Sequence, residues 1–143
     1  MPLENFGSIL NFAEELESQD QEFYEAVAGN PACGDHKPMF EQFAADAKKN
    51  LKIVQRTRRE NVTEMILEPI KDFVRAPYCE VCQAAPDMTA EDALATAKRL
   101  EDRAVRYYTE AAVKIKALSE VARALKLLAK KHTAHRDRLA AIG

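Results

Sequence analysis

Residues 12–28 read FAEELESQDQEFYEAVA, and residues 96–112 read TAKRLEDRAVRYYTEAA. An offset of 84 residues lays Ala13 on Ala97, Leu16 on Leu100, Glu17 on Glu101, Phe23 on Tyr107 and Tyr24 on Tyr108. In both segments apolar residues recur at spacings of three and four, the pattern of a helix with one buried face. Each segment is followed by a second amphipathic stretch. After the first come Phe40, Phe43, Ala44, Ala47, Leu51 and Val54; after the second, Val121, Leu125, Leu128, His132, His135 and Leu139. Two helix hairpins joined by a long crossover describe an all-α, antiparallel four-helix bundle.

The element boundaries follow from local chemistry. Helix 1 is expected from Asn5 to Ala28, stopped by Gly29, Asn30 and Pro31. A loop from Asn30 to Lys37 leads to helix 2, which starts near Pro38 and runs to about Arg59. Residues 60–88 hold three prolines and read as the crossover. Thr89 and Asp92 form the capping pair of helix 3, which is expected to extend to about Leu118; Ser119 is the expected cap of helix 4. The whole chain, 1–143, reads as one domain.

Composition narrows the function. Gly is scarce (4), Trp is absent, and helix formers dominate. With 21 basic and 23 acidic residues the net charge is −2, and no basic stripe stands out, so nucleic acid is not an expected partner. No apolar run reaches the roughly 20 residues that span a bilayer, so no membrane partner is expected either. The N-terminal MPLENFGSIL lacks a basic, apolar leader, and three cysteines do not make a secreted disulfide framework. A cytoplasmic protein is the expectation.

Polar residues interrupt the apolar stripes. Glu17 follows Leu16 and precedes Tyr24 by seven residues, which turns it inward, and Glu101 repeats the placement. A buried carboxylate needs a cation or a hydrogen-bond partner. Asp20, three residues after Glu17, either shares that face or sits solvated on the flank. His132 and His135 lie one turn apart on the inward stripe of helix 4, and two of the chain's three histidines are here. Two such imidazoles can hold one metal ion, with carboxylates from facing helices completing the set. The competing reading is a polar network without metal.

These residues carry a family resemblance. Over nearly its whole length the chain resembles the rubrerythrin-like members of the ferritin-like superfamily. That family places a Glu on helix 1, Glu-x-x-His on helix 2, a Glu on helix 3 and Glu-x-x-His on helix 4 around two iron ions. Glu17 matches the first ligand, Glu101 the third-helix Glu and His135 the last histidine, while His132 stands where a Glu belongs. On helix 2, Ala47 falls at the Glu and Asn50 at the His. The resemblance therefore implies a degenerate di-iron site, not an intact one. What remains is a core set of Glu17, Glu101, His132 and His135, with Asp20 as an added ligand or a partner of Lys48 or Asn50. The metal would be iron or another divalent transition metal. The family's habit of pairing implies a homodimer, with a redox partner left open.

Cysteines form a second constellation. Cys33-x-x-His36 lies between helices 1 and 2, and Cys79-x-x-Cys82 in the crossover. The topology returns the crossover to the same end of the bundle, so the four residues can meet as a Cys3His set suited to zinc. A redox dithiol at Cys79 and Cys82 and three inert thiols are the alternatives.

Two functions follow. One is a rubrerythrin-like oxidoreductase with a modified, mononuclear core metal site that handles oxygen or peroxide. The other is a non-catalytic member of the family, an interaction or structural module whose core cluster is only polar.

Overall fold

Hydrophobic periodicity is realised as four long helices. The computed structural model describes residues 6–60, 88–115 and 118–142. Helix α1 spans Phe6–Ala28, α2 Lys37–Glu60, α3 Ala90–Lys114 and α4 Ser119–Ile142, with a 3-10 turn at Pro31–His36 between the first two. No strand occurs among the described residues. The expected crossover, 60–88, lies almost wholly outside them.

The helix ends show why the chain turns where it does. Asn30 caps the 3-10 turn: its side chain accepts from Ala32 N at 3.0 Å, and its Nδ2 donates to the Met88 carbonyl at 2.9 Å. The α1–α2 connection is thereby tied to the start of α3. Thr89 caps α3 by accepting from Asp92 N at 3.1 Å, and Glu91 and Asp92 place negative charge in the first turn, where the helix dipole favours it. Helix α3 ends at Lys114, ahead of the expected Leu118. Ile115 leaves helical geometry (φ −110°, ψ 22°) and buries its side chain in the core beside Val121.

The helices pack as two hairpins, α1 against α2 and α3 against α4; α1 also meets α3, and α2 meets α4. Inward residues form two apolar clusters. One gathers Ile9, Leu16, Tyr107, Tyr108, Leu125 and Leu128; the other gathers Phe23, Tyr24, Phe40, Phe43, Leu100 and Leu139. The buried acidic and basic residues of α1, α3 and α4, and Asn50 of α2, fall between these two groups along the chain. The bundle thus encloses a polar layer between two apolar ones, which keeps water away and strengthens each electrostatic contact inside. No helix among the described residues is long and apolar enough to cross a membrane.

Candidate metal centre

Among the described residues, six acidic and basic side chains are buried in this layer: Glu17, Asp20, Glu101, Arg103, His132 and His135. Three acids face three bases, so the cluster can balance its charge without solvent. Burial of an unbalanced set would be far more costly.

Glu101 is the hub. Its Oε1 lies 2.7 Å from His132 Nδ1 and 3.0 Å from His135 Nδ1. Its Oε2 accepts from the Tyr24 hydroxyl at 2.7 Å. Both imidazoles therefore turn the same nitrogen toward one oxygen. Their other nitrogens face separate carboxylates: His132 Nε2 lies 2.7 Å from Glu17 Oε2, and His135 Nε2 lies 2.8 Å from Asp46 Oδ2.

A further set of contacts holds this geometry. Gln42 Nε2 donates to Asp46 Oδ1 at 2.9 Å. The Tyr108 hydroxyl donates to Glu17 Oε2 at 2.6 Å, and Asn50 Nδ2 to Glu17 Oε1 at 3.4 Å. Phe43 stacks on the His135 ring, centroids 3.8 Å apart, and Tyr108 stacks on His132 at 5.6 Å. The rings cannot swing without displacing core aromatics.

The internal repeat reappears here as reciprocal bonding. Tyr24 on α1 donates to Glu101 on α3, and Tyr108 on α3 donates to Glu17 on α1. The offset that aligns Glu17 with Glu101 also aligns Tyr24 with Tyr108, so α1 and α3 exchange equivalent contacts across an approximate twofold axis.

Protonation follows from the geometry. An imidazole with both nitrogens against ionised carboxylates must carry two protons. Burial pulls His132 down, but the Glu17 and Glu101 charges and their hydrogen bonds outweigh it and hold its pKa well above the usual histidine value. His135 is raised too: burial opposes, and Glu101 and Asp46 prevail. For Glu101, burial pushes upward, yet the two histidines overcome it and hold the carboxyl at about 2. Burial, then Glu101 and Glu17, push Asp20 well above the carboxylate range against the pull of His132 and Arg103. Burial, with Glu101 for Tyr24 and Glu17 for Tyr108 adding to it, raises both hydroxyls, which stay protonated donors.

Two groups of three donors can hold a cation among the described residues: Glu101 with His132 and His135, and Glu17 with Asp20 and His132. In each, donor atoms lie within 4.8 Å of one another. Two observations favour a fit to a transition-metal ion. Ligands about 2.1 Å from a metal and roughly at right angles stand about 3 Å apart, close to the separations around Glu101. Each histidine also points its outer nitrogen at a carboxylate, the arrangement that fixes the tautomer of a metal-binding imidazole.

A model of the family described as ferritin-like domain matches residues 7–141. The chain belongs to the ferritin-like family. No curated protein and no solved structure matches it.

Within this ferritin-like bundle, Glu17, Asp20, Glu101, His132 and His135 all come together in the core. Asp20 is fully buried, so the solvated-flank alternative does not hold. Its partner is neither Lys48, which is exposed, nor Asn50, which binds Glu17; Arg103 Nη2 donates to Asp20 Oδ1 at 3.1 Å. Ala47 is buried and supplies no donor. Sequence reasoning missed Arg103 and Asp46, whose residue types default to solvent. Both were signalled by spacing: Arg103 stands between Leu100 and Tyr107 on the α3 stripe, and Asp46 one turn after Phe43 on α2.

Of the cysteine constellation, only Cys33 and His36 lie among the described residues. Cys33 is buried against the apolar cluster that includes Met39 and Phe40, and half-buried His36 meets the Phe40 ring edge-on at 6.4 Å. Neither joins a group of three donors among the described residues. Cys79 and Cys82 lie outside those residues.

Proposed function

We propose that this ferritin-like protein binds one divalent transition-metal ion, iron by preference, through Glu101 and the Nδ1 atoms of His132 and His135. The observation that carries the reading is the convergence of both Nδ1 atoms on Glu101 Oε1, with every other nitrogen and oxygen of the three held by an outer partner. Two imidazoles and one carboxylate leave open positions on an iron ion and suit non-haem iron. When bound, iron would supply the electrons for reducing oxygen or peroxide. The chain's own groups do the rest. Glu17 and Asp46 hold the Nε2 protons, so that Nδ1 is bare toward the ion. Tyr24 fixes Glu101 so that Oε1 faces inward. The two apolar clusters exclude bulk water from the reacting centre. Glu17 orients His132 in this reading.

A second reading is favoured by a separate observation. Glu17, Glu101, His132 and His135, with Asp46, Tyr24 and Asn50 around them, are satisfied as a network of protonated imidazoles and carboxylates. Such a cluster could serve as a rigid core for an interaction or structural module without metal. The test is anaerobic titration with iron(II), then mixing with hydrogen peroxide. The redox reading expects about one tightly held iron per chain and peroxide loss matched to oxidation of that iron. Failure to retain iron, cobalt or zinc after desalting would leave the non-catalytic reading.

A further inference from the structure

The two groups of three donors share His132, whose Nδ1 faces Glu101 and whose Nε2 faces Glu17. A neutral imidazole has one bare nitrogen and so serves one group at a time; an ion at Glu101 that takes it would leave a second ion the carboxylates Glu17 and Asp20. The ring alone does not choose between them. A permanent cation beside one of the two groups does.

Arg103 is 1% exposed and lies against Asp20. Its Nη2 donates to Asp20 Oδ1 at 3.1 Å and its Nη1 to Gln19 Oε1 at 3.0 Å. A guanidinium cannot be deprotonated in a protein. Asp20 thus has one oxygen committed to a fixed positive charge, while its buried Oδ2 has no hydrogen-bond partner among the described residues. A divalent ion seated among Glu17, Asp20 and His132 would face that charge in a dry interior, where repulsion is poorly screened. Among the described residues no arginine or lysine bonds to the Glu101 group, whose outer oxygen is held by the neutral Tyr24 phenol.

The repeat sharpens the contrast. Under the offset of 84 residues, Arg103 corresponds to Gln19 and Asp20 to Ala104. The glutamates and tyrosines obey the pseudo-symmetry; the Asp20–Arg103 pair breaks it. It marks one half of an otherwise symmetric layer.

We propose that Arg103 is a built-in cation that takes the place of a second metal ion at Asp20 and so confines the centre to one ion, held by Glu101, His132 and His135. This rests on the metal-binding reading above and adds to it a residue that sets how many ions are bound.

The test is cobalt(II) stoichiometry, read by elemental analysis after desalting and by calorimetric titration, for the full chain and its variants. The proposal expects about one ion in the wild type, about two in Arg103→Gln, which keeps a hydrogen-bonding amide but loses the charge, and about one in Arg103→Lys, which keeps the charge. Asp20→Asn in the Arg103→Gln background should return the count to about one, because the second group then lacks a carboxylate. Two ions in the wild type would overturn the proposal and leave metal binding intact. So would one ion in a folded Arg103→Gln protein. If that variant does not fold, the wild-type count at saturating cobalt still decides. No bound cobalt in any of them would overturn the metal reading and this inference together.

Discussion

At the scale of single residues, the site is a lesson in what holds a ligand still. His135 is gripped from three sides: Glu101 and Asp46 on its nitrogens, and Phe43 on its face. Asp46 lies outside the inner set, yet in the proposed site it holds the Nε2 proton of His135 and leaves Nδ1 to the ion. Replacing such an outer carboxylate costs roughly 10–100-fold in metal affinity. Asp46→Ala should therefore weaken cobalt binding by about that factor in calorimetry while leaving the helical circular dichroism unchanged. Unaltered affinity would mean that Asp46 is only a surface partner of the ring. Residues such as Glu17 and Glu101 were legible in the sequence because a carboxylate inside an apolar stripe contradicts its surroundings. Arg103 was not, because a long cationic side chain ordinarily carries its charge to solvent from almost any position. The buried Asp20 beside it shows that this charge stays in the core.

At the scale of elements, the four stripes and their order were readable because helix periodicity is local and the core is made of the same residues that form it. Less readable were the ends. Ile115 turns into the core and stops α3 short of Leu118, and Ser119 begins α4 as its first helical residue, with the Leu118 carbonyl accepting from Ala122 N at 2.9 Å. The partner of Asp20 was hidden for a related reason: it depends on how α1 and α3 are set against each other, which no single helix states. That same antiparallel pairing makes a prediction. Tyr24→Phe and Tyr108→Phe each remove one buried hydrogen bond to a carboxylate, worth about 1.5–3 kcal/mol. The two should lower stability to denaturant by similar amounts, as the pseudo-symmetry requires. Their effects on metal should differ. Tyr24 steadies Glu101, the proposed ligand, whereas Tyr108 steadies Glu17, the proposed outer partner, so Tyr24→Phe should weaken cobalt binding more. Equal losses of affinity would place Glu17 and Glu101 in equal roles.

At the scale of the whole molecule, the bundle is a shell of two apolar clusters around a charged layer, and its stability must register the state of that layer. His132 and His135 have folded pKa values raised above their ordinary 6.5. Groups of this kind contribute stability that is fully present below the unfolded pKa and is lost as pH rises through the folded one. The metal-free protein should therefore lose thermal stability as pH rises from about 6.5 upward. Metal binding needs the bare imidazoles and releases their protons, so affinity for cobalt should climb over the same range. Thermal melts without metal and calorimetry with it should show these opposite slopes; parallel slopes would mean that the imidazoles are neutral before metal arrives. The central claim is narrower than any of these trends: one ion sits where two Nδ1 atoms meet Glu101. Crystals of the protein soaked with cobalt(II), measured for anomalous scattering at the metal edge, test it directly. The account predicts a single core peak at bonding distance, roughly 2.0–2.2 Å, from Glu101 and from Nδ1 of both His132 and His135. A core free of anomalous density, or a peak between Glu17 and Asp20 with none at Glu101, would contradict it.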